Sequence, residues 1–147
     1  MKVDRNILSS LVPHAGDMCL LDCVEAWDEL HIVCSARSHL STDNPLRSDG
    51  RLTAIHALEY GAQAVAVHGG LTARQQRKRI SEGYVAAVRD ACFYVERLDL
   101  LESDLTVEAR QLITSDDKQI YRVIIRSADL LVAEARLMVK NSTEPIP

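Results

Sequence analysis

One carboxylate stands apart in this chain. From Ala54 to His68 the sequence is built almost wholly of apolar residues and good helix formers, and Glu59 is its only formal charge. A carboxylate in apolar surroundings must either raise its pKa or find a partner, because burying an unpaired charge costs free energy. Such perturbed groups are where proton-transfer chemistry is found. On a helix, Gln63 falls one turn after Glu59 and His56 one turn before it, on the same face. Glu59, His56 and Gln63 are therefore the candidate catalytic stripe. The helix start adds free backbone N–H groups near Ala54 and Ile55, placed to hold an oxygen on which negative charge develops.

Each residue also has a structural reading. Glu59 can pair with a neighbouring Arg, and His56 can be a satisfied core histidine. His14 follows Pro13 and either contacts substrate or bonds the backbone of its own turn. His68 points away from Glu59 and lies near the C-terminal end of the apolar run, where His is favourable, so it reads as structural.

Several elements must position these groups. Thr53 is the expected N-cap of the helix, and Gly69-Gly70 its expected end. A helix apolar on nearly all sides is buried. Ahead of it, Met18–Trp27 and Leu30–Ser38 read as two strands joined at Asp28-Glu29. The second alternates, with Ile32, Cys34 and Ala36 on one face and His31, Val33, Ser35 and Arg37 on the other. Ser41–Arg51 is a loop by its Ser, Asp, Asn, Pro and Gly content. After the helix, Leu71–Glu82 is polar and basic. Gly83–Val95, Leu105–Thr114, Ile120–Ser127 and Leu130–Lys140 then read as strands, with turns at 115–118 and at Ala128-Asp129. A short helix over Asn6–Leu11 opens the chain. An antiparallel sheet wrapped around one long helix is the economical way to bury that helix, which makes the fold class α+β.

Composition limits the function. The 147 residues suit one domain spanning 1–147, with a core of Val, Ile, Leu and Ala, since there are only one Phe, one Trp and four Tyr. A net charge of −4 gives no basic field, so nucleic acid is not the expected partner. No apolar run is long enough to span a bilayer and no signal-type segment opens the sequence, so a cytoplasmic protein is expected. Cys19, Cys23, Cys34 and Cys92 lack metal-type spacing and read as small hydrophobes, with no metal site expected. The run Arg74, Arg77, Lys78 and Arg79 is either a solvated surface or a dock for an acidic partner.

Three segments carry a family resemblance. Leu11-Val12-Pro13-His14-Ala15-Gly16-Asp17-Met18-Cys19-Leu20-Leu21-Asp22 resembles an opening L-P-H-x-x-x-x-L-L-D motif. Glu59-Tyr60-Gly61-Ala62-Gln63 resembles an E-x-x-A-Q helix signature. Asp90-Ala91-Cys92-Phe93 through Ser103-Asp104-Leu105 resembles an A-x-F strand followed by a G-D-x-L turn. Together they resemble the hotdog-fold 3-hydroxyacyl-(acyl-carrier-protein) dehydratases, and within these the small dehydratases of aryl-polyene pathways.

The resemblance implies a dimer formed with itself or with a homologous hotdog subunit. It implies an acidic acyl carrier protein as partner, and no cofactor beyond the phosphopantetheine or coenzyme A that carries the substrate. In the family a His ahead of the helix is the base, and a carboxylate on the neighbouring subunit's helix is the second group. Here the segment that should hold that His reads Thr42-Asp43-Asn44-Pro45-Leu46-Arg47, and His39 comes several residues early. Either His56 or His14 replaces it, or the chemistry is lost. A hotdog thioesterase and a non-catalytic subunit that completes an active homologue are the alternatives.

Overall fold

The computed structural model describes residues 3, 5–11, 18–78 and 83–141. Short helix α1 (Arg5–Leu11) is followed by strands β1 (Cys23–Trp27) and β2 (His31–Ala36). Helix α2 (Ala57–Gln75) comes next, and then strands β3 (Gly83–Phe93), β4 (Leu105–Thr114), β5 (Lys118–Ser127) and β6 (Leu130–Asn141). The strands form one antiparallel sheet in the order β1-β2-β4-β5-β6-β3. Helix α2 packs across β2, β4, β5 and β6, while α1 covers part of α2 and β1.

The alternation read in β2 holds, with Ile32, Cys34 and Ala36 facing the helix. Across the sheet the same inward face carries Val107, Ala109, Tyr121, Val123, Ile125, Ala133, Ala135 and Leu137, all buried. Each such aliphatic side chain contributes about 1.5–3 kcal/mol by leaving water. The helix answers with Tyr60, Gly61, Ala64, Val65, Val67, His68 and Leu71. At Gly61 an added Cβ would lie 3.0–3.3 Å from the Cβ and both Cγ atoms of Val123, so glycine there sets how closely helix and sheet approach.

Four expectations are corrected. Gly69-Gly70 does not end the helix, which runs on to Gln75. Gly70 instead packs inside the helix against α1: an added Cβ would meet the mobile tip of Leu11, Cδ2, at 2.9 Å. The true end is Arg77, at φ 54°. Its N–H donates to Arg74 O (3.1 Å), and Lys78 N–H reaches back to Ala73 O (2.8 Å), the two bonds of a Schellman motif. Thr53 makes no side-chain capping bond, and a 3-10 turn at Ala54–His56 leads into α2 instead. Strand β1 starts at Cys23 rather than Met18; Cys19, Leu20 and Leu21 are buried ahead of it without strand structure. Cys92 is exposed on β3, whereas Cys19 and Cys34 are buried; burial pushes the Cys34 thiol up to about 12, with Cys23 and Glu25 adding to the effect.

Strand β3 differs from the rest of the sheet. It is paired on one side only, to β6, and its side chains are mostly exposed, including Tyr84, Val85, Val88 and Phe93. Asp90, at φ 54°, forms a bulge between Arg89 and Cys92. No helix among the described residues is long and apolar enough to cross a membrane.

Candidate active site

The polar stripe of α2 is real, but its members play unequal parts. Gln63 is the buried one, at 3% exposure. Its Oε1 accepts from the Leu20 N–H (2.9 Å), while its Nε2 donates to Met18 O (2.6 Å) and to Glu59 Oε1 (3.1 Å). The amide therefore ties the segment before β1 to the helix and holds one oxygen of Glu59. This is the partner that the apolar surroundings of Glu59 demanded. Glu59 is half-buried, and its Oε2 has no hydrogen bond among the described residues. His56 ends the 3-10 turn, half-buried, with its ring unbonded among the described residues. These two open groups lie on a helix face that also carries Ile55 (59% exposed), Leu58, Ala62 and Ala66.

The helix entrance is held by the chain ahead of β4. Leu98 N–H donates to Leu52 O (2.7 Å), Leu52 N–H to Asp99 Oδ1 (2.9 Å), and Ala54 N–H to Glu96 O (2.9 Å). Arg97 forks onto the Asp99 carboxylate and keeps it well below the usual carboxylate range, a shift to which the bond from Leu52 adds. The Ala54 N–H is thus already used, which corrects its assignment as an oxyanion donor. The Ile55 N–H has no partner among the described residues.

His39 is no replacement base. It is fully buried, and its Nε2 lies 2.9 Å from Leu101 O and 3.0 Å from Ser103 O. Both partners are acceptors, so Nε2 carries the hydrogen and Nδ1 is a lone pair, one without a bonding partner among the described residues. Burial lowers its pKa, against the opposing pull of the two carbonyls. His68 is structural, as expected. Its Nε2–H donates to Asp28 O (2.8 Å), and its Nδ1 accepts from Tyr121 OH (2.6 Å).

Two residues escaped the sequence reading. Asn44, in the segment where the family places its His, is buried and donates to Ser38 O (2.9 Å) and Tyr60 OH (3.3 Å). Ser38 Oγ donates to Leu20 O (2.7 Å), so the Tyr60 hydroxyl, 2.7 Å away, donates to Ser38. Burial raises the Tyr60 pKa, which keeps this hydroxyl protonated. Asn44 and Tyr60 brace the loop against the helix one residue from Glu59. The only sequence signal was a lone Asn before Pro45. An open depression of about 420 Å³ lies beside this network, lined by Cys19, Ser38, Leu40, Asn44 and Pro45, with neither Glu59 nor His56 in its wall.

Arg74, Arg77 and Lys78 are exposed at the end of α2, without an ion pair among the described residues. Their position gives them a structural role as cations at a helix C-terminus. His14 and Arg79 lie outside the described residues.

The family model of the ApeP dehydratases matches residues 7–146. The chain belongs to the ApeP-like family. This bears out the dehydratase resemblance and the aryl-polyene likeness within it. The ApeP-like chain shares its fold with the dehydratase heterocomplex ApeI:P from Xenorhabdus doucetiae, at TM-score 0.82 and 22% identity over 93% of this chain and 91% of that one. It shares it more distantly with a hypothetical thioesterase from Streptococcus pneumoniae solved with coenzyme A, at TM-score 0.60 and 12% identity over 84% and 87%. The E. coli PaaI protein of the phenylacetic acid degradation operon aligns at TM-score 0.59 and 14% identity over 80% of each chain. The architecture of all three is the hotdog fold expected from the sequence. No individually curated protein matches the sequence.

Proposed function

We propose that this ApeP-like chain supplies one half of a dehydratase site, with Glu59 as the proton-transfer group and a paired hotdog subunit as the source of the other half. The observation that carries this is the Glu59–Gln63 bond, which fixes one carboxylate oxygen and leaves Oε2 without a hydrogen bond among the described residues on the outer face of α2. The substrate would be a 3-hydroxyacyl thioester. One group takes the proton from the carbon beside the thioester carbonyl, and another protonates the hydroxyl on the next carbon. That hydroxyl leaves as water and a carbon–carbon double bond forms between the two carbons. The Ile55 N–H, at the start of the helix, suits the thioester oxygen as charge builds on it.

Two carboxyl or imidazole groups are needed, and the chain's own loop offers Asn44 in place of a His. His56 is the internal candidate for the second group. A homologous subunit seated along β3 is the external one, an arrangement in keeping with the relative that is described as a heterocomplex. The substrate would arrive on the phosphopantetheine of an acidic acyl carrier protein, docking at Arg74, Arg77, Lys78 and Arg79, with no other cofactor.

The test is a mass-spectrometric assay with a 3-hydroxyacyl carrier substrate, run on the chain alone and with a homologous hotdog subunit. Loss of water only in the mixture supports the shared site, and loss of water by the chain alone that His56→Gln abolishes assigns His56. With either, Glu59→Gln should lower turnover by about 10²–10⁴-fold, the usual worth of a general acid or base. Unchanged turnover would make Glu59 structural, and release of free acid would identify a thioesterase.

A further inference from the structure

The face of the sheet turned away from α2 carries a pattern that belongs to no part of the site. His31 on β2 pairs in register with Arg110 on β4, Arg110 with Arg122 on β5, Arg122 with Arg136 on β6, and Arg136 with Arg89 on β3. Four arginines thus stand side by side on four adjacent strands, all exposed. Like charges directly opposite one another destabilise a sheet, so this row works against folding. Neutralisation within the chain is partial. Arg122 reaches Glu134 at 3.5 Å, and His31 is taken by Glu108 at 3.0 Å. Arg110, Arg136 and Arg89 have no ion pair among the described residues.

The next row on the same face is apolar. Ile113 pairs with Ile120, Ile120 with Met138, and Met138 with Ala87. Ile113 is 52% exposed, and the other three are half-buried. A cationic row and an apolar row therefore run parallel across β4, β5, β6 and β3.

We propose that this face docks an acidic amphipathic helix of a partner protein, lying across the strands. The dimensions match. Neighbouring strands are about 4.8 Å apart, so the four arginines span roughly 14 Å. Carboxylates one turn apart on a helix repeat about every 5.4 Å, so a helix of some three turns sets one carboxylate near each arginine. Its apolar stripe then falls on Ile113, Ile120 and Met138. A second copy of this chain does not fit, since it would bring its own cationic row. A polyphosphate backbone would leave the apolar row uncovered. Pairing along the β3 edge uses backbone groups and leaves this face open. The inference does not rest on the dehydratase reading.

The probe is a labelled, alanine-rich helical peptide of about 18 residues, long enough to hold a helix in water. It carries Glu once per turn on one stripe and Leu on the adjacent one. Fluorescence anisotropy with the full chain should show binding that weakens as salt rises. Arg110→Gln with Arg136→Gln should weaken it by about tenfold or more, while Arg51→Gln, an exposed cation outside the sheet and outside the proposed carrier dock, leaves it unchanged. Met138→Glu, which puts a carboxylate into the apolar row, should give an independent loss. Thermal melting serves as the folding control, and the arginine double variant should melt no lower than the parent because it removes like-charge contacts. Equal binding of a peptide of scrambled sequence, tighter binding of duplex DNA, or full affinity in the arginine and Met138 variants would each overturn the proposal.

Discussion

Gln63 does more structural work than its neighbours on the stripe. It satisfies the Leu20 N–H and the Met18 carbonyl, and it holds Glu59. Gln63→Leu would strand two backbone groups at a buried position, at a cost of about 1–3 kcal/mol each. Urea unfolding should show a loss of about 2–5 kcal/mol, whereas Glu59→Gln should leave stability within about 0.5 kcal/mol. Gln63 also keeps one Glu59 oxygen in place, so Gln63→Leu should lower turnover as well.

The buried histidines give stability a defined pH dependence. Burial lowers the pKa of both His39 and His68 from the ordinary value of 6.5. The unfolded chain therefore takes up protons that the folded chain refuses. Their contribution is complete above pH 6.5 and is lost as pH falls toward the lowered folded values, with a slope of up to about 1.4 kcal/mol per pH unit for each proton. Urea midpoints measured from pH 7.5 down to 5.5 should fall. A flat profile across that window would show that neither ring is kept neutral by the fold.

At the scale of elements, the two helical glycines of α2 separate cleanly. Gly61 faces Val123, whose branched Cβ has little rotamer freedom. Gly61→Ala should destabilise by about 1–3 kcal/mol through overpacking, partly offset by better helix propensity. Gly70 faces the tip of Leu11, which can turn aside, so Gly70→Ala should be nearly neutral or stabilising by up to about 1 kcal/mol. At the helix end, Arg77 holds a left-handed conformation better suited to glycine. Arg77→Gly should stabilise by about 1 kcal/mol, seen as a melting temperature higher by about 3–5 °C.

These elements also show where the sequence was readable. Period-two alternation in β2 and the lone charge of α2 are local patterns, and both led to the right faces. The helix end was not local: two adjacent glycines look like a terminator, but Gly70 answers to Leu11, some sixty residues earlier. The Ala54 N–H looked free because its acceptor, Glu96 O, comes from a segment that only the tertiary fold brings alongside. Asn44 and Tyr60 gave no warning for the same reason. The arginine row needs the register of four strands at once, so scanning along the chain shows only scattered basic residues.

At the scale of the whole molecule, α2 and the sheet bury each other, while among the described residues the outer side of α2 and the β3 edge stay open. Both open surfaces suit the paired site proposed above. Val88→Lys with Phe93→Lys should block pairing along β3 and leave the core intact. Analytical ultracentrifugation of the parent and this variant, each alone and with a homologous hotdog subunit, would show it. Association that survives in the variant would place the subunit contact elsewhere.

The Asp90 bulge gives that open edge a further property. A long, flat, apolar edge strand is a template onto which any extended chain can add, and then another, which is how sheets grow into fibrils. With Asp90 at φ 54° and a second register shift between Val85 and Ala87, β3 is broken into three short runs, and a carboxylate sits at the Asp90 break. Only a strand with a complementary offset can follow the edge along its full length. The residue that bends this strand therefore works as a gatekeeper: it discourages the open-ended strand addition that would turn an exposed edge into an aggregate.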